Sequence, residues 1–188
     1  GKSMEEIAAP YAMTTSSNLS SSRALRDVTE QYGGEYFAAA VGEVNVTTMM
    51  KDCGAVIGGE GNGGVIYPAL HYGRDAMVGV ALFLTNLAYK KMSVSELLKT
   101  YPQYVIAKNK IELSDSALID RILEEVKNVY ASEEIDTIDG VKISFEDRRE
   151  WVHLRRSNTE PIIRIYAEAS TKEAADALAQ QIIDIANS

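Results

Sequence analysis

Apolar residues recur at helical spacing in six stretches, and short apolar or alternating runs lie between them. Leu25, Val28, Thr29 and Tyr32 predict a helix over 22–32, closed by Gly33-Gly34. Glu35 to Val41 predicts a short strand. Val46, Met49, Met50 and Cys53 predict a helix over 46–53, ended by Gly54. Ala55-Val56-Ile57 predicts a short buried strand, opening into the loop Gly58-Gly59-Glu60-Gly61-Asn62-Gly63-Gly64 and then Val65-Ile66-Tyr67. Asp75 to Lys90 predicts a long buried helix, and Ser93 with Glu96 predicts a capping box on the next. The Ser/Thr-rich segment 14–22 is expected to be a loop. No histidine or glycine elbow there would make a hydroxyl a nucleophile. Strands alternating with helices predict an α/β layer.

Tyr101-Pro102-Gln103 breaks this pattern, and a domain boundary is expected near 107, giving domains 1–107 and 108–188. Ser114 to Tyr130 predicts an amphipathic helix with Ile119, Ile122, Leu123, Val126 and Val129 inward. Val141, Ile143 and Phe145 alternate as a strand, and 151–155 and 162–168 predict two more. A last helix is expected over 171–186, with Ser170 and Glu173 as its capping box. This order, without βαβ alternation, predicts a small α+β domain with an antiparallel sheet.

The 188 residues are 46% hydrophobic and 24% charged, the balance of a globular chain with room for one ordinary domain or two small ones. Acids outnumber bases 27 to 19. That excludes a broadly basic nucleic-acid face, although a local basic cluster can still hold a small anion. The longest apolar run, Met77 to Ala88, is shorter than the roughly 20 residues that cross a bilayer, so no membrane partner is expected. The first six residues lack the apolar core of a signal peptide. One cysteine, Cys53, permits no intrachain disulfide. It reads as core filler in a reducing, cytoplasmic setting.

Five of the nine arginines lie between Arg148 and Arg164, and between two predicted strands stands Arg155-Arg156-Ser157-Asn158-Thr159-Glu160-Pro161. Guanidinium forks, hydroxyls and an amide at a turn are what a phosphate dianion needs; the other reading is a solvated polar hairpin. In the glycine loop, Glu60 and Asn62 carry the functional side chains, suited to sugar hydroxyls; the other reading is a tight turn. His153 reads as packed, His71 as a possible face of the same cleft, and Asp75 as a helix N-cap. Nothing stands at metal-ligand spacing.

Taken together, the two segments resemble the carboxy-terminal portion of the α-D-phosphohexomutases, the family of phosphoglucomutase, phosphomannomutase and phosphoglucosamine mutase. Residues 155–161 match its R-x-S-[NG]-T-E-P phosphate loop, with Arg164 following. Residues 59–64 match its G-E-x-[SN]-G-[HG] sugar loop, and Val41-Gly42 its V-G turn. The resemblance implies a sugar-binding α/β domain with a mixed sheet, then a small phosphate-binding α+β domain of the TATA-box-binding-protein type. It implies that Glu60 and Asn62 bind the sugar and that Arg155, Ser157, Asn158 and Thr159 bind phosphate. For the full enzyme it implies transfer through a phosphoserine and a hexose 1,6-bisphosphate, which also serves as activator. It also implies a Mg²⁺ ion and preceding domains of the same enzyme as partners. The serine loop T-[AS]-S-H-N-P and the metal loop D-G-D-x-D-R are not in this sequence, so no catalytic residue or metal ligand is expected in it. Gly64 stands where many members have histidine, and Ala40 where many have a basic residue. The E-x-N-G-G form of the loop resembles the phosphoglucosamine mutase subgroup. A stand-alone phosphosugar-binding or regulatory module is the alternative.

Overall fold

The computed structural model describes residues 13–112, 117–157 and 160–187. It divides into two compact units, 1–103 and 104–188. Residue 107, the expected boundary, therefore falls inside a strand of the second unit.

The first unit is built on a mixed five-stranded sheet in the order β2-β1-β3-β4-β5. Its elements run β1 (Thr15–Asn18), α1 (Ala24–Gln31), β2 (Tyr36–Ala39), α2 (Glu43–Cys53), β3 (Ile57–Glu60), β4 (Gly64–Tyr67), β5 (His71–Arg74), α3 (Ala76–Lys90) and α4 (Val94–Leu98). β1 is parallel to β2 and β3, whereas β3, β4 and β5 form antiparallel pairs. Residues 15–18 of the Ser/Thr segment expected as a loop thus form an interior strand between β2 and β3, with all four residues buried. An interior parallel strand is normally an apolar run. Two of its three buried hydroxyls pair, while Ser16 Oγ meets no hydrogen-bond partner among the described residues. Thr15 Oγ1 lies 2.7 Å from Thr29 Oγ1, which donates to the Leu25 carbonyl at 2.7 Å, and Ser17 Oγ lies 2.8 Å from the Tyr36 hydroxyl. Ala39, Val46, Met50, Ala55 and Ile66 form the core of this unit, with Met49 and Cys53 packed against it.

Two expectations here need correction. The strand after α2 begins at Ile57 and runs through the glycine stretch to Glu60, while Val56 is exposed. β5 carried no readable pattern. The helix Ala76–Lys90, expected to be buried, has no fully buried residue among those described, and Met77, Phe83 and Leu84 are exposed. The α4 capping box is present, with Ser93 accepting from the Glu96 amide and Glu96 accepting from the Ser93 amide.

The second unit is an antiparallel sheet in the order β6-β10-β9-β8-β7. Its strands are β6 (Val105–Glu112), β7 (Glu134–Asp136), β8 (Val141–Phe145), β9 (Glu150–Arg156) and β10 (Ile162–Ala169), with helices α5 (Ala117–Val129) and α6 (Lys172–Ala186). Period-2 alternation sends Val141, Ile143, Val152, Leu154, Ile163 and Ile165 to one face. There they bury against Ile119, Ile122 and Val126 of α5 and Leu178, Ala179 and Ile182 of α6. Val129, expected inward, is 57% exposed because it ends the helix. Ser114, the expected helix start, lies outside the described residues. α6 is capped by Thr171, which accepts from the Ala174 amide at 3.2 Å, one residue later than expected. Among the described residues no helix is long and apolar enough to cross a membrane.

Candidate functional site

In the first unit only residues 61–63 form the turn of the glycine stretch, where Gly63 adopts φ +95° and its amide donates to the Glu60 carbonyl at 3.0 Å. A Cβ on Gly59 would stand 2.0 Å from the Gly64 carbonyl oxygen, so the hairpin closes only over glycine. Glu60 ends β3 on the face that carries Asn18. Its side chain is 6% exposed, and both oxygens are engaged: Oε1 accepts from Asn18 Nδ2 at 3.0 Å and Oε2 from Arg74 Nη1 at 3.4 Å. Arg74 also donates to Glu43, from Nε at 2.8 Å and from its backbone amide at 3.2 Å. A carboxylate has about four lone-pair positions, so Glu60 keeps capacity for hydroxyl donors. Asn62 Oδ1 accepts from the Gly64 amide at 3.2 Å, closing the turn. Glu43, Asn62, Gly63, Gly64, Arg74 and Asp75 line a cleft of about 540 Å³.

Asn18, Glu43 and Arg74 went unassigned in the sequence. Asn18 was hidden in the run read as a loop, yet its Oδ1 accepts from the Ser20 amide at 3.1 Å and from Ser21 Oγ at 3.0 Å. That anchors the amide that holds Glu60. Gly64 admits Arg74, because a Cβ there would lie 2.5 Å from Arg74 Cδ. The space beside Gly64 is thus filled by an arginine stem from β5. His71 accepts from the Gly73 amide at Nδ1 (3.0 Å) and meets Asp75 through Nε2 (3.1 Å). Asp75 caps α3 by accepting from the Met77 and Val78 amides. The Val78 amide, and then His71, hold its carboxyl below the usual range. Asn18→Ala should remove three hydrogen bonds around Glu60 and lower stability by about 1–2 kcal/mol in urea unfolding. An unchanged midpoint would show that Asn18 does not hold Glu60.

In the second unit the strand pleat separates the two neighbouring arginines. Arg156 pairs with Ile163 on the helix-covered face and binds Asp120 of α5 at 3.1 Å. Arg155 pairs with Arg164 on the opposite face. Among the described residues Arg155 Nε is buried and meets no hydrogen-bond acceptor. Arg164 reaches Glu160 at 3.4 Å. Ser157 is 6% exposed, and its amide donates to the Ile162 carbonyl at 3.0 Å, closing the loop. Asn158 and Thr159 lie outside the described residues. His153 is buried beside Arg155, with Nε2 2.6 Å from the Asp139 carbonyl. Burial pushes its pKa down to about 4, against that hydrogen bond, and the Lys142 charge adds to the depression. It is a neutral, packed histidine, as expected. Trp151 Nε1 donates to the buried Glu168 at 2.7 Å.

Residues 3–104 match the family model "Phosphoglucomutase/phosphomannomutase, alpha/beta/alpha domain III", and residues 109–185 match "Phosphoglucomutase/phosphomannomutase, C-terminal domain". The chain is 34% identical over 169 residues to a probable phosphoglucosamine mutase of Methanopyrus kandleri, covering 89% of this chain and 37% of that protein. It is 35% identical over 166 residues to a phosphoglucosamine/phosphogalactosamine mutase of Sulfurisphaera tokodaii, covering 87% of this chain and 36% of that protein. A solved phosphoglucomutase/phosphomannomutase family protein of Burkholderia thailandensis superposes with a TM-score of 0.76 at 26% identity, over 97% of this chain and 39% of that one. The chain thus spans little more than a third of the relatives it matches. It belongs to the phosphoglucomutase/phosphomannomutase family, its first unit corresponding to domain III and its second to the C-terminal domain.

Proposed function

We propose that this chain is the sugar- and phosphate-binding part of a phosphohexomutase that interconverts hexose or hexosamine 6- and 1-phosphates through a phosphoserine and a bisphosphate. The observation that carries this reading is the separation of the two arginines: Arg156 is spent on Asp120, while Arg155 stands beside Arg164 on the other face of the sheet. Directly opposed like charges destabilise a sheet. A phosphate dianion between these guanidinium groups converts that repulsion into charge-assisted, bidentate hydrogen bonds. Glu60, held from behind by Asn18 and Arg74, accepts from sugar hydroxyls. Asn62 and, beside the phosphate, Ser157, Asn158 and Thr159 complete the proposed contacts.

The E-G-N-G-G loop and the phosphoglucosamine mutase relatives favour a hexosamine phosphate as substrate. Mg²⁺ and a hexose 1,6-bisphosphate activator belong to the same reading for the full-length enzyme. The metal would neutralise charge on the transferring phosphoryl group. Among the described residues no three His, Cys, Asp or Glu side chains come together to hold one. The work of these two units is binding and orientation.

Calorimetric titration of glucosamine 6-phosphate tests the reading. Arg155→Ala should weaken binding about tenfold or more, the loss of a charge-assisted contact. Equal affinities in wild type and variant would remove Arg155 from the site.

A further inference from the structure

The register of the second sheet places a third cation in line with the two arginines. Arg155 of β9 pairs with Arg164 of β10, and Arg164 pairs with Lys110 of β6. Directly paired residues share a face, so Arg155, Arg164 and Lys110 form one row across three strands, spanning about 10 Å of backbone. No apolar or acidic side chain interrupts it. The next row along the same face holds His153, Tyr166 and Lys108, and there the cation is drawn onto a ring, with Lys108 Nζ 5.4 Å from the Tyr166 centroid.

Three like charges side by side oppose folding unless anions balance them. Two carboxylates do so here. Lys110 Nζ meets Glu112 at 2.7 Å, and Arg164 meets Glu160 at 3.4 Å. Lys110 is also within electrostatic reach of both Glu160 and Arg164; the Glu112 pairing dominates and raises its pKa. Glu112 is 73% exposed and Glu160 is 56% exposed. Exposed pairs of this kind are weak and exchange readily, and a phosphate dianion is the stronger acceptor. Lysine's flexible four-carbon stem lets the ammonium change partner without moving the strand.

We propose that Lys110 is a third cation of the phosphate site, exchanging the Glu112 carboxylate for a phosphate oxygen of the ligand. The inference rests on the reading of Arg155 and Arg164 as phosphate-binding, and it adds a residue from β6, outside the arginine loop.

The test titrates inorganic phosphate and glucose 6-phosphate at several salt concentrations. Lys110→Ala should weaken both about three- to tenfold and flatten the salt dependence. Lys110→Gln, which keeps most of the stem, should do the same. Glu112→Gln should tighten binding, an effect that a merely structural Lys110–Glu112 pair would not produce. Lys108→Ala should bind within about twofold of wild type, because its charge lies in the next row. If both Lys110 variants bind like wild type while Arg155→Ala loses affinity, the third cation is overturned and the arginine site stands. Equal losses for Lys108→Ala and Lys110→Ala would also overturn it, replacing a defined contact with a diffuse field. If Arg155→Ala binds like wild type as well, both readings fall together.

Discussion

Gly140→Ala is expected to destabilise the second unit by roughly 2–4 kcal/mol, the range for a strained and sterically blocked backbone position. Two separate costs add. Gly140 adopts φ +76°, the left-handed region, where a Cβ alone costs about 1–2 kcal/mol. That Cβ would also stand 2.1 Å from the Leu154 carbonyl oxygen and 2.9 Å from Arg155 Cα. Both are backbone atoms of the neighbouring strand, so no rotamer change relieves the contact; β8 must move away from β9. The same movement displaces Arg155, so phosphate affinity should fall together with stability. Trp151 is the only tryptophan and is buried in this unit, so its fluorescence in urea follows the relevant unfolding. A loss of only about 1–2 kcal/mol, with no fall in phosphate affinity, would mean that the φ cost acts alone and that the strands are not in such close contact.

Gly140 was silent in the sequence, and the reason is general to what could be read there. Elements whose burial follows one period were legible. α5 shows its Ile119, Ile122 and Val126 stripe, and β8 shows Val141, Ile143 and Phe145, because each has one face on a core and one on water. β1 was misread because its four buried residues are all polar, with Thr15 paired to Thr29 and Ser17 to Tyr36, and polarity alone then mimics a loop. α3 was misread in the other direction: its apolar residues imply burial, yet many stand exposed among the described residues. β5 and β6 carry too many polar residues for either template.

The candidate site divides in the same way. Glu60 and Arg155 were legible because they sit in dense, chemically distinctive segments. Asn18, Glu43 and Arg74 were not, because each comes from a separate element and meets Glu60 or its partner only through the sheet order. That Arg155 and Arg156 stand on opposite faces of the sheet follows from the pairing of β9 with β10 rather than from the motif alone.

Acidification is expected to weaken the second unit through His153. Its folded pKa of about 4 lies below the ordinary value of 6.5, because the ring is buried and Lys142 and Arg155 stand near it. Above pH 6.5 the ring is neutral in both folded and unfolded chains and contributes no slope. Between 6.5 and about 4 the unfolded chain takes up a proton that the folded one refuses. Stability therefore falls as pH falls through that window, by roughly 3 kcal/mol in all, and this contribution levels off below about 4. His153→Gln can still offer an amide donor toward the Asp139 carbonyl but cannot titrate. Its urea midpoint, followed at Trp151, should lose this part of the pH dependence while keeping the slope contributed by carboxylates. Parallel curves for wild type and variant would show that His153 is not held neutral. The same burial sets how binding responds to pH. With His153 uncharged down to about pH 4, the charge beside Arg155 stays constant, so phosphate-ester affinity should follow the ligand's own second ionisation near pH 6 in wild type and His153→Gln alike.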